Sequence, residues 1–155
     1  MNEVVKRLTE LNKTIATMES CSGGAVVNAI TNIPGASEVL KFSAVTYANE
    51  FKIKMGVDID LIDKYSVYSM EVAKNMSLKI TEFANSNYGI GITGKINRKD
   101  PYNDQGKDNE IFISIYDKDN AKYITFKLIA LSADREKNKE YIVEEIVKKI
   151  LAILG

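Results

Sequence analysis

Residues 19–24 (ESCSGG) place a hydroxyl nucleophile beside two glycines. A serine hydroxyl attacks a carbonyl only when a nearby base takes its proton and hydrogen-bond donors receive the developing negative charge. A turn that enters a helix offers such donors, because its backbone N–H groups are unpaired and the helix dipole favours an anion. Gly23 and Gly24 would also let a substrate approach the backbone closely. These features make Ser20 a candidate nucleophile, although Ser20 or Ser22 could instead simply cap the helix.

The composition restricts the base that could activate this serine. The chain has no histidine, which excludes Ser-His-Asp and Cys-His catalysis and leaves Lys, Asp, Glu or Tyr as the general base. Cys21, the single cysteine, is a rival nucleophile in the same turn, since a helix N-terminus can lower the pKa of a thiol. Without histidine, however, a lone cysteine is more typical of a small buried side chain in a reducing compartment.

A second segment, residues 46–52 (TYANEFK), carries the candidate base. It leaves a predicted strand and enters a predicted helix, which would place Tyr47 and Lys52 near one rim of a sheet. A lysine that is partly removed from water loses its proton more readily, so Lys52 could act as the base. The Tyr47 hydroxyl could relay that proton or hold the oxyanion. Considered alone, the segment is explained more simply by a surface lysine and a tyrosine at the rim of the core.

Thr93 and Arg135 are weaker candidates for the same site. Thr93 ends a predicted strand at the same sheet edge, where an ordinary turn explains it equally well. Arg135 begins the last predicted helix and could bind a carboxylate or phosphate through two hydrogen bonds, although a surface arginine is the default. Residues 94–95 lack the glycine spacing of a phosphate-binding P-loop, and residues 100–110 lack the ligand order of an EF-hand, so we reject both motifs.

Hydrophobic periodicity predicts the elements that must position these residues. Asn49 is a candidate cap for one helix, and Val72, Met76, Ile80 and Phe83 share one face of another. The predicted helices cover residues 2–12, 25–30 and 49–55, a long stretch from residue 69 and the C-terminal stretch from about residue 133; the predicted strands cover residues 14–18, 42–47, 88–93, 111–116 and 123–129.

This order of elements predicts a single α/β domain over residues 1–155. Strands alternate with helices early in the chain and pair as a hairpin late, so we expect a mixed sheet with helices on both faces. Residues 94–109 are polar and form a long loop between two strands. Loops of this length in compact domains often have a functional role, which makes this one a candidate lid.

Charge and hydropathy exclude several classes of partner. The chain has 21 basic and 21 acidic residues, and this zero net charge weighs against nucleic acid as the main partner. Residues 1–12 lack the apolar core of a signal peptide, and no apolar stretch is long enough for a transmembrane helix. We therefore expect a cytoplasmic protein with no membrane partner.

Taken together, these segments resemble the C-terminal domain of the competence/damage-inducible protein CinA, the nicotinamide-nucleotide amidohydrolase family. Residues 16–24 (ATMESCSGG) are close to the family's ATAESCTGG, and residues 45–52 (VTYANEFK) are close to VTYSNEAK. Residues 33–37 (IPGAS) lie between them; residues 67–69 resemble the family's GAVS, and residues 134–135 its GDR. The motifs occur in the family's order with compatible spacings, so the resemblance covers essentially the whole chain.

The resemblance implies hydrolysis of the carboxamide of nicotinamide mononucleotide to nicotinic acid mononucleotide and ammonia. By the family pattern, Ser20 is the nucleophile, Lys52 and Tyr47 are its activating partners, and Thr93 and Arg135 match further active-site positions. No metal or organic cofactor is implied, and family members are often homodimers. The implied fold is a three-layer α/β/α sandwich on a mixed, mostly parallel sheet with a late antiparallel hairpin.

The chain departs from the family pattern in the loop after Thr93. The family continues with IAGP and further glycines, whereas residues 94–101 read GKINRKDP. Glycines that would let backbone N–H groups face an anion are replaced by bulky polar residues. Either Lys95, Arg98 or Lys99 supplies the charge from side chains, or substrate binding has changed. The alternative function is therefore a non-catalytic nucleotide-binding or partner-binding domain.

Overall fold

The computed structural model describes all residues from 1 to 155 as an alternation of helices and strands. None of the helices combines the length and the apolar character that a membrane span needs. The helices are α1 (Asn2–Glu10), α2 (Ala25–Thr31), α3 (Ala36–Val39), α4 (Asn49–Lys54), α5 (Ile59–Tyr65), α6 (Met70–Ala84) and α7 (Arg135–Leu154); the strands are β1 (Ile15–Glu19), β2 (Leu40–Val45), β3 (Tyr88–Gly94), β4 (Glu110–Asp117) and β5 (Lys122–Ile129).

The five strands form one mixed sheet in the order β2-β1-β3-β4-β5. Strand β1 pairs in parallel with β2 on one side and with the central strand β3 on the other, while β4 is antiparallel to both β3 and β5. Glu19 at the end of β1 lies opposite Val45 of β2 and Ile92 of β3. The segments that follow these three strands consequently meet at one edge of the sheet, as the carboxyl ends of neighbouring parallel strands do.

Helices cover both faces of the sheet and enclose two cores. Helices α1, α2, α3 and α7 pack on one face, where Ile15 and Ile90 are buried. Helices α5 and α6 lie on the other face, where Ala16 and Met18 of β1 contact the buried side of α6. Successive residues of a strand point to opposite faces, so β1, which is buried throughout, must be apolar at most positions.

Two glycines of β3 bring α6 unusually close to the sheet. A Cβ atom at Gly89 would lie 1.9 Å from the Thr81 hydroxyl and 2.4 Å from the Ser77 carbonyl oxygen. A Cβ atom at Gly91 would lie 2.2 Å from the carbonyl oxygen of Ala73 and 2.6 Å from the backbone nitrogen of Ser77. The backbone of α6 therefore occupies the space where side chains would stand.

The sequence predictions of the fold are largely confirmed, with three exceptions. The mixed sheet, the late hairpin and the helices on both faces are present. Helices α3 and α5 were not predicted. Asn49 is not a cap, because Ala48 holds that position and α4 has no side-chain cap. Phe83 is exposed and packs on Phe42, with ring centroids 4.8 Å apart, whereas the other three residues of its predicted face are buried.

We expect Gly91→Ala to destabilise the protein by at least about 3 kcal/mol, because the new methyl group would overlap the α6 backbone and force the helix off the sheet. Gly35→Ala is the control, since a Cβ atom added there would meet no atom within 4 Å and only the φ of +89° opposes a side chain. That backbone strain alone costs about 1–2 kcal/mol. Urea unfolding measures both free energies; a smaller loss for Gly91→Ala than for Gly35→Ala would contradict the close packing.

Candidate active site

Ser20 lies immediately after β1, in a turn that leads into α2. Its backbone N–H continues the sheet by donating to the carbonyl oxygen of Ile92, 3.0 Å away. The turn then closes through a 2.9 Å hydrogen bond from Gly23 N–H to the carbonyl oxygen of Ser20. Gly23 and Gly24 have φ angles of +62° and +93°, which residues other than glycine adopt only with strain. Both glycines are thus required for the turn itself.

The carboxylate of Glu19 holds this turn from beneath the helix. Its Oε2 accepts hydrogen bonds from the Ser22 hydroxyl at 2.7 Å and from the backbone N–H groups of Gly24 and Val26 at 3.1 and 3.2 Å. Its Oε1 accepts from Val27 N–H at 2.8 Å and from the Thr17 hydroxyl at 3.0 Å. A fully buried anion thus caps α2 by binding the unpaired N–H groups of its first turn.

Lys52 projects from α4 to Ser20 and is only 2% exposed. Its Nζ donates to the Ser20 Oγ at 3.1 Å and to the carbonyl oxygen of Thr46 at 2.8 Å. No carboxylate forms an ion pair with this amine. Burial without a counter-ion disfavours the charged form and lowers the pKa of Lys52 from 10.5 to about 8. A neutral amine in hydrogen-bond contact with a serine hydroxyl is positioned to accept its proton.

The thiol of Cys21, in contrast, lacks the environment of a nucleophile. Its side chain is buried, and burial raises the pKa of the Cys21 thiol from 9.0 to about 12. Nearby Arg135 and Lys52 oppose this shift without cancelling it. A thiol with this pKa holds its proton at neutral pH, and the thiolate is the reactive form.

A cavity of about 620 Å³ opens beside Ser20 and Lys52. The loop after β3, residues 95–109, forms much of its wall. Its complete lining consists of Ser20, Cys21, Tyr47, Ala48, Asn49, Lys52, Val67, Tyr68, Gly94, Lys95, Ile96, Arg98, Lys99, Asp100, Pro101, Tyr102, Asn103 and Arg135. Five of these residues are basic and one is acidic, so the cavity favours an anionic ligand.

Of the other residues selected from the sequence, some line the cavity and some lie outside its lining. Tyr47 lines the cavity but is 65% exposed and hydrogen-bonds to neither member of the pair. Arg135 also lines the cavity, where its Nη1 donates to the carbonyl oxygen of Ile96 at 3.3 Å. Thr93 is buried outside the lining and donates its hydroxyl proton to the carbonyl oxygen of Val67 at 2.8 Å. Gly23 and Gly24 likewise lie outside the lining.

Sequence reasoning missed three side chains of the site region. Glu19 received no role of its own, although an acidic residue at the end of an apolar strand is itself a signal of a buried role. Tyr68 donates its hydroxyl proton to the carboxylate of Asp100 inside the cavity wall. No pattern in the sequence relates these two residues, because the contact depends on the path of the 95–109 loop.

Comparison with known proteins identifies the family. The model of the CinA C-terminal domain matches residues 1–154. The chain belongs to this family. A Clostridium kluyveri relative that bears the name of a competence-damage inducible protein is 44% identical over 96 residues, which are 61% of this chain and 23% of that protein. A CinA-like protein from Desulfovibrio desulfuricans is 40% identical over 92 residues, 59% of this chain and 22% of its own. The matches thus span less than a quarter of these relatives.

Solved structures of CinA proteins share the fold. A competence or damage-inducible protein from Enterobacter asburiae superimposes with a TM-score of 0.88 at 21% identity, covering 99% of this chain and 98% of its own. A CinA superfamily protein from Klebsiella pneumoniae gives a TM-score of 0.90 at 19% identity, covering 99% and 94%. The α/β architecture around the Ser20 turn is therefore the architecture of the CinA domain.

We expect Glu19→Gln to destabilise the protein by about 3 kcal/mol or more, because an amide NH2 would face N–H donors that now bind a carboxylate oxygen. Glu38→Gln, in an exposed position of α3, removes the same charge and should change the free energy of unfolding by less than about 0.5 kcal/mol. Equal stability of the two variants in urea unfolding would show that the carboxylate does not hold the turn.

The lowered pKa of Lys52 predicts a pH-dependent stability difference between the wild type and Lys52→Met. Between pH 8 and pH 10.5 the unfolded lysine keeps its proton while the folded one has lost it. The free energy of unfolding of the wild type, relative to the variant, should therefore rise with pH through this window, by about 3 kcal/mol in total. Subtracting the variant cancels the other titrating groups. A difference that stays flat from pH 7 to pH 10.5 would mean that Lys52 titrates normally.

Proposed function

We propose that the protein hydrolyses the carboxamide of nicotinamide mononucleotide to nicotinic acid mononucleotide and ammonia. The contact between Lys52 Nζ and Ser20 Oγ, 3.1 Å in length and buried, carries this proposal. It joins a nucleophile to a base whose pKa of about 8 lies close to neutral pH. Membership of the CinA family supports the substrate.

In the first half of the reaction, the neutral amine of Lys52 accepts the proton of Ser20 while Oγ attacks the carboxamide carbon. The C=O π electrons move to oxygen and give a tetrahedral oxyanion. The backbone N–H of Cys21, a residue of the cavity lining, donates to no backbone carbonyl oxygen and is available to stabilise this charge. Its place directly after the nucleophile is where other serine hydrolases position one such donor.

Collapse of the tetrahedral intermediate then breaks the carbon–nitrogen bond. The Lys52 ammonium gives its proton to the leaving nitrogen, so that ammonia departs and an ester between Ser20 and the nicotinoyl group remains. A water molecule attacks this ester with the neutral Lys52 as base. The released serine regains a proton from Lys52, and the free carboxylate leaves as nicotinic acid mononucleotide.

The basic lining of the cavity supports a phosphorylated substrate. We assign Arg135 to substrate positioning, because it lies in the lining and presents a guanidinium group that matches phosphate or carboxamide oxygens. Tyr47, at the rim, is assigned to contact the substrate or assist proton transfer once substrate excludes water. Thr93, Gly23 and Gly24 support the site from outside the lining, through the geometry of β3 and the turn.

The 95–109 loop supports a second candidate, a CinA domain that binds a nucleotide without hydrolysing it. The loop lacks the family's glycines, so a substrate phosphate would meet side chains instead of backbone N–H groups. The two candidates differ in one result. Binding of nicotinamide mononucleotide without ammonia release by the wild type would favour the second.

We expect the wild type to release ammonia from nicotinamide mononucleotide, and Ser20→Ala and Lys52→Met to lose at least about 100-fold in kcat, as removal of a nucleophile or general base does. Cys21→Ala is the matched control, because it alters the adjacent residue without touching the pair, and it should keep activity within a few-fold. The kcat/KM of the wild type should rise with pH and level off above about 8, where Lys52 is neutral.

Retention of activity in Ser20→Ala, together with its loss in Cys21→Ala, would overturn the choice of nucleophile. A kcat/KM that falls as the pH rises from 6 to 8 would contradict the role of neutral Lys52. Circular dichroism spectra of the variants distinguish loss of catalysis from loss of fold.

A further inference from the structure

The 95–109 loop is the part of the cavity in which this chain departs from the family's sequence pattern. Every residue from Lys95 to Asn103 except Asn97 lines it. The loop therefore forms a continuous wall beside the Ser20–Lys52 pair instead of a loose surface excursion.

The start of the loop is attached to the region of α7. The side-chain amide of Asn97 turns away from the cavity and donates to the carbonyl oxygen of Leu131 at 2.7 Å. Arg135 donates to the carbonyl oxygen of Ile96. Lys95 is 4% exposed, forms an ion pair with Asp108 at 3.4 Å and lies over the Tyr68 ring. These contacts fix the beginning of the wall on one side of the cavity.

The distal part of the loop is attached through Asp100. Its carboxylate accepts hydrogen bonds from the Tyr68 hydroxyl, from the Asn103 side chain at 2.9 Å and from the Tyr102 N–H at 2.9 Å. The side-chain carbonyl oxygen of Asn103 accepts a further hydrogen bond from the side chain of Asn49 at 2.9 Å. A connected set of hydrogen bonds thus runs from the residues before α6, through the loop, to the first turn of α4, the helix that carries Lys52.

Asp100, a member of this set, is the only acidic residue of the cavity lining, and its carboxylate oxygens are occupied by these hydrogen bonds. Burial alone would raise the pKa of Asp100, but hydrogen bonds from Tyr68 and Asn103 outweigh that effect and hold it below its ordinary value. The carboxylate therefore stays ionised while its oxygens serve the loop. Arg98 and Lys99, directly before it, line the cavity, are exposed and form no ion pair with another residue. Two unpaired cations are thus held on a fixed wall.

We propose that the hydrogen-bonded set Asn49–Asn103–Asp100–Tyr68 fixes the loop wall so that Arg98 and Lys99 form an anion subsite, which selects amides that carry a phosphate. Tyr68 and Asp100 are positioning residues, and Arg98 and Lys99 determine specificity. Because the wall is held before substrate arrives, little ordering free energy is spent on binding. The inference rests on the proposed amidase function for its kinetic test and on the structure alone for its other tests.

The kinetic test compares nicotinamide mononucleotide with nicotinamide riboside, which has the same amide but no phosphate. In Arg98→Gln/Lys99→Gln, the ratio of kcat/KM for the two substrates should fall by at least about tenfold, through the nucleotide alone. Lys107→Gln, a charge removal in the same loop but outside the lining, should leave the ratio unchanged. Equal losses on both substrates, or an unchanged ratio, would overturn the subsite.

Tyr68→Phe tests the positioning role, because it removes one hydrogen bond without changing any charge. The ratio should fall in the same direction, and hydrogen exchange of residues 96–105 should quicken severalfold. The control is Asp104→Asn, in an exposed acidic residue of the loop that lines no part of the cavity. It should change neither quantity. Unaltered exchange in Tyr68→Phe would show that the hydrogen-bonded set does not hold the wall.

Failure of the subsite and failure of the amidase function give different results. If the wild type hydrolyses neither substrate, the amidase proposal fails, and calorimetry with the same two compounds tests the subsite. Tighter binding of the mononucleotide than of the riboside, lost in Arg98→Gln/Lys99→Gln, would support the subsite without catalysis. Equal affinity of the wild type for the two compounds would overturn it.

Discussion

The buried amine of Lys52 is the constraint around which the site is organised. An ammonium group at this position has a carbonyl oxygen and a serine hydroxyl as partners but no carboxylate, so its charge is poorly compensated. Folding therefore favours the neutral form, and the pKa of about 8 expresses that preference. In a protein without histidine, this gives the proposed mechanism a base that can act near neutral pH. The same constraint requires the rest of the fold to keep acidic side chains out of ion-pair contact with this amine.

The sheet and the Glu19 carboxylate provide that environment. Parallel pairing of β1 with β2 and β3 brings the Ser20 turn, the segment leading to α4 and the 95–109 loop to one edge. The Glu19 carboxylate accepts hydrogen bonds from the N–H groups at the start of α2. It stabilises the turn there and forms no ion pair with Lys52. The Asp100 carboxylate likewise accepts hydrogen bonds from the 95–109 loop. Glu19 and Asp100 thus bind groups of the protein itself, and Arg98 and Lys99 of the cavity lining are left without an ion-pair partner.

Much of this arrangement could be predicted from the sequence, and the reasons for the rest are physical. The strand, turn and helix around Ser20 follow from local periodicity and glycines, and the pairing of Ser20 with Lys52 and Tyr47 is implied by the resemblance to the CinA family. The choice between Lys52 and Tyr47 could not be made, because the charged residues around Lys52 give no sign that it is buried. Helix α3, of 4 residues, is too short for a periodic signal, and α5 has no fully buried residue that would mark an inward face. The Tyr68–Asp100 contact depends on a loop path that no local pattern encodes.

The most direct test is an NMR titration of the Lys52 amine in protein labelled at lysine side chains, with the signal assigned by its absence from Lys52→Met. The midpoint should lie near pH 8, well below the 10.5 of an ordinary lysine. In Ser20→Ala the midpoint should remain low, since burial and not the serine is the main cause of the shift. A midpoint near 10.5 in the wild type would contradict the account, because Lys52 would then be protonated throughout the physiological range and unable to accept the proton of Ser20.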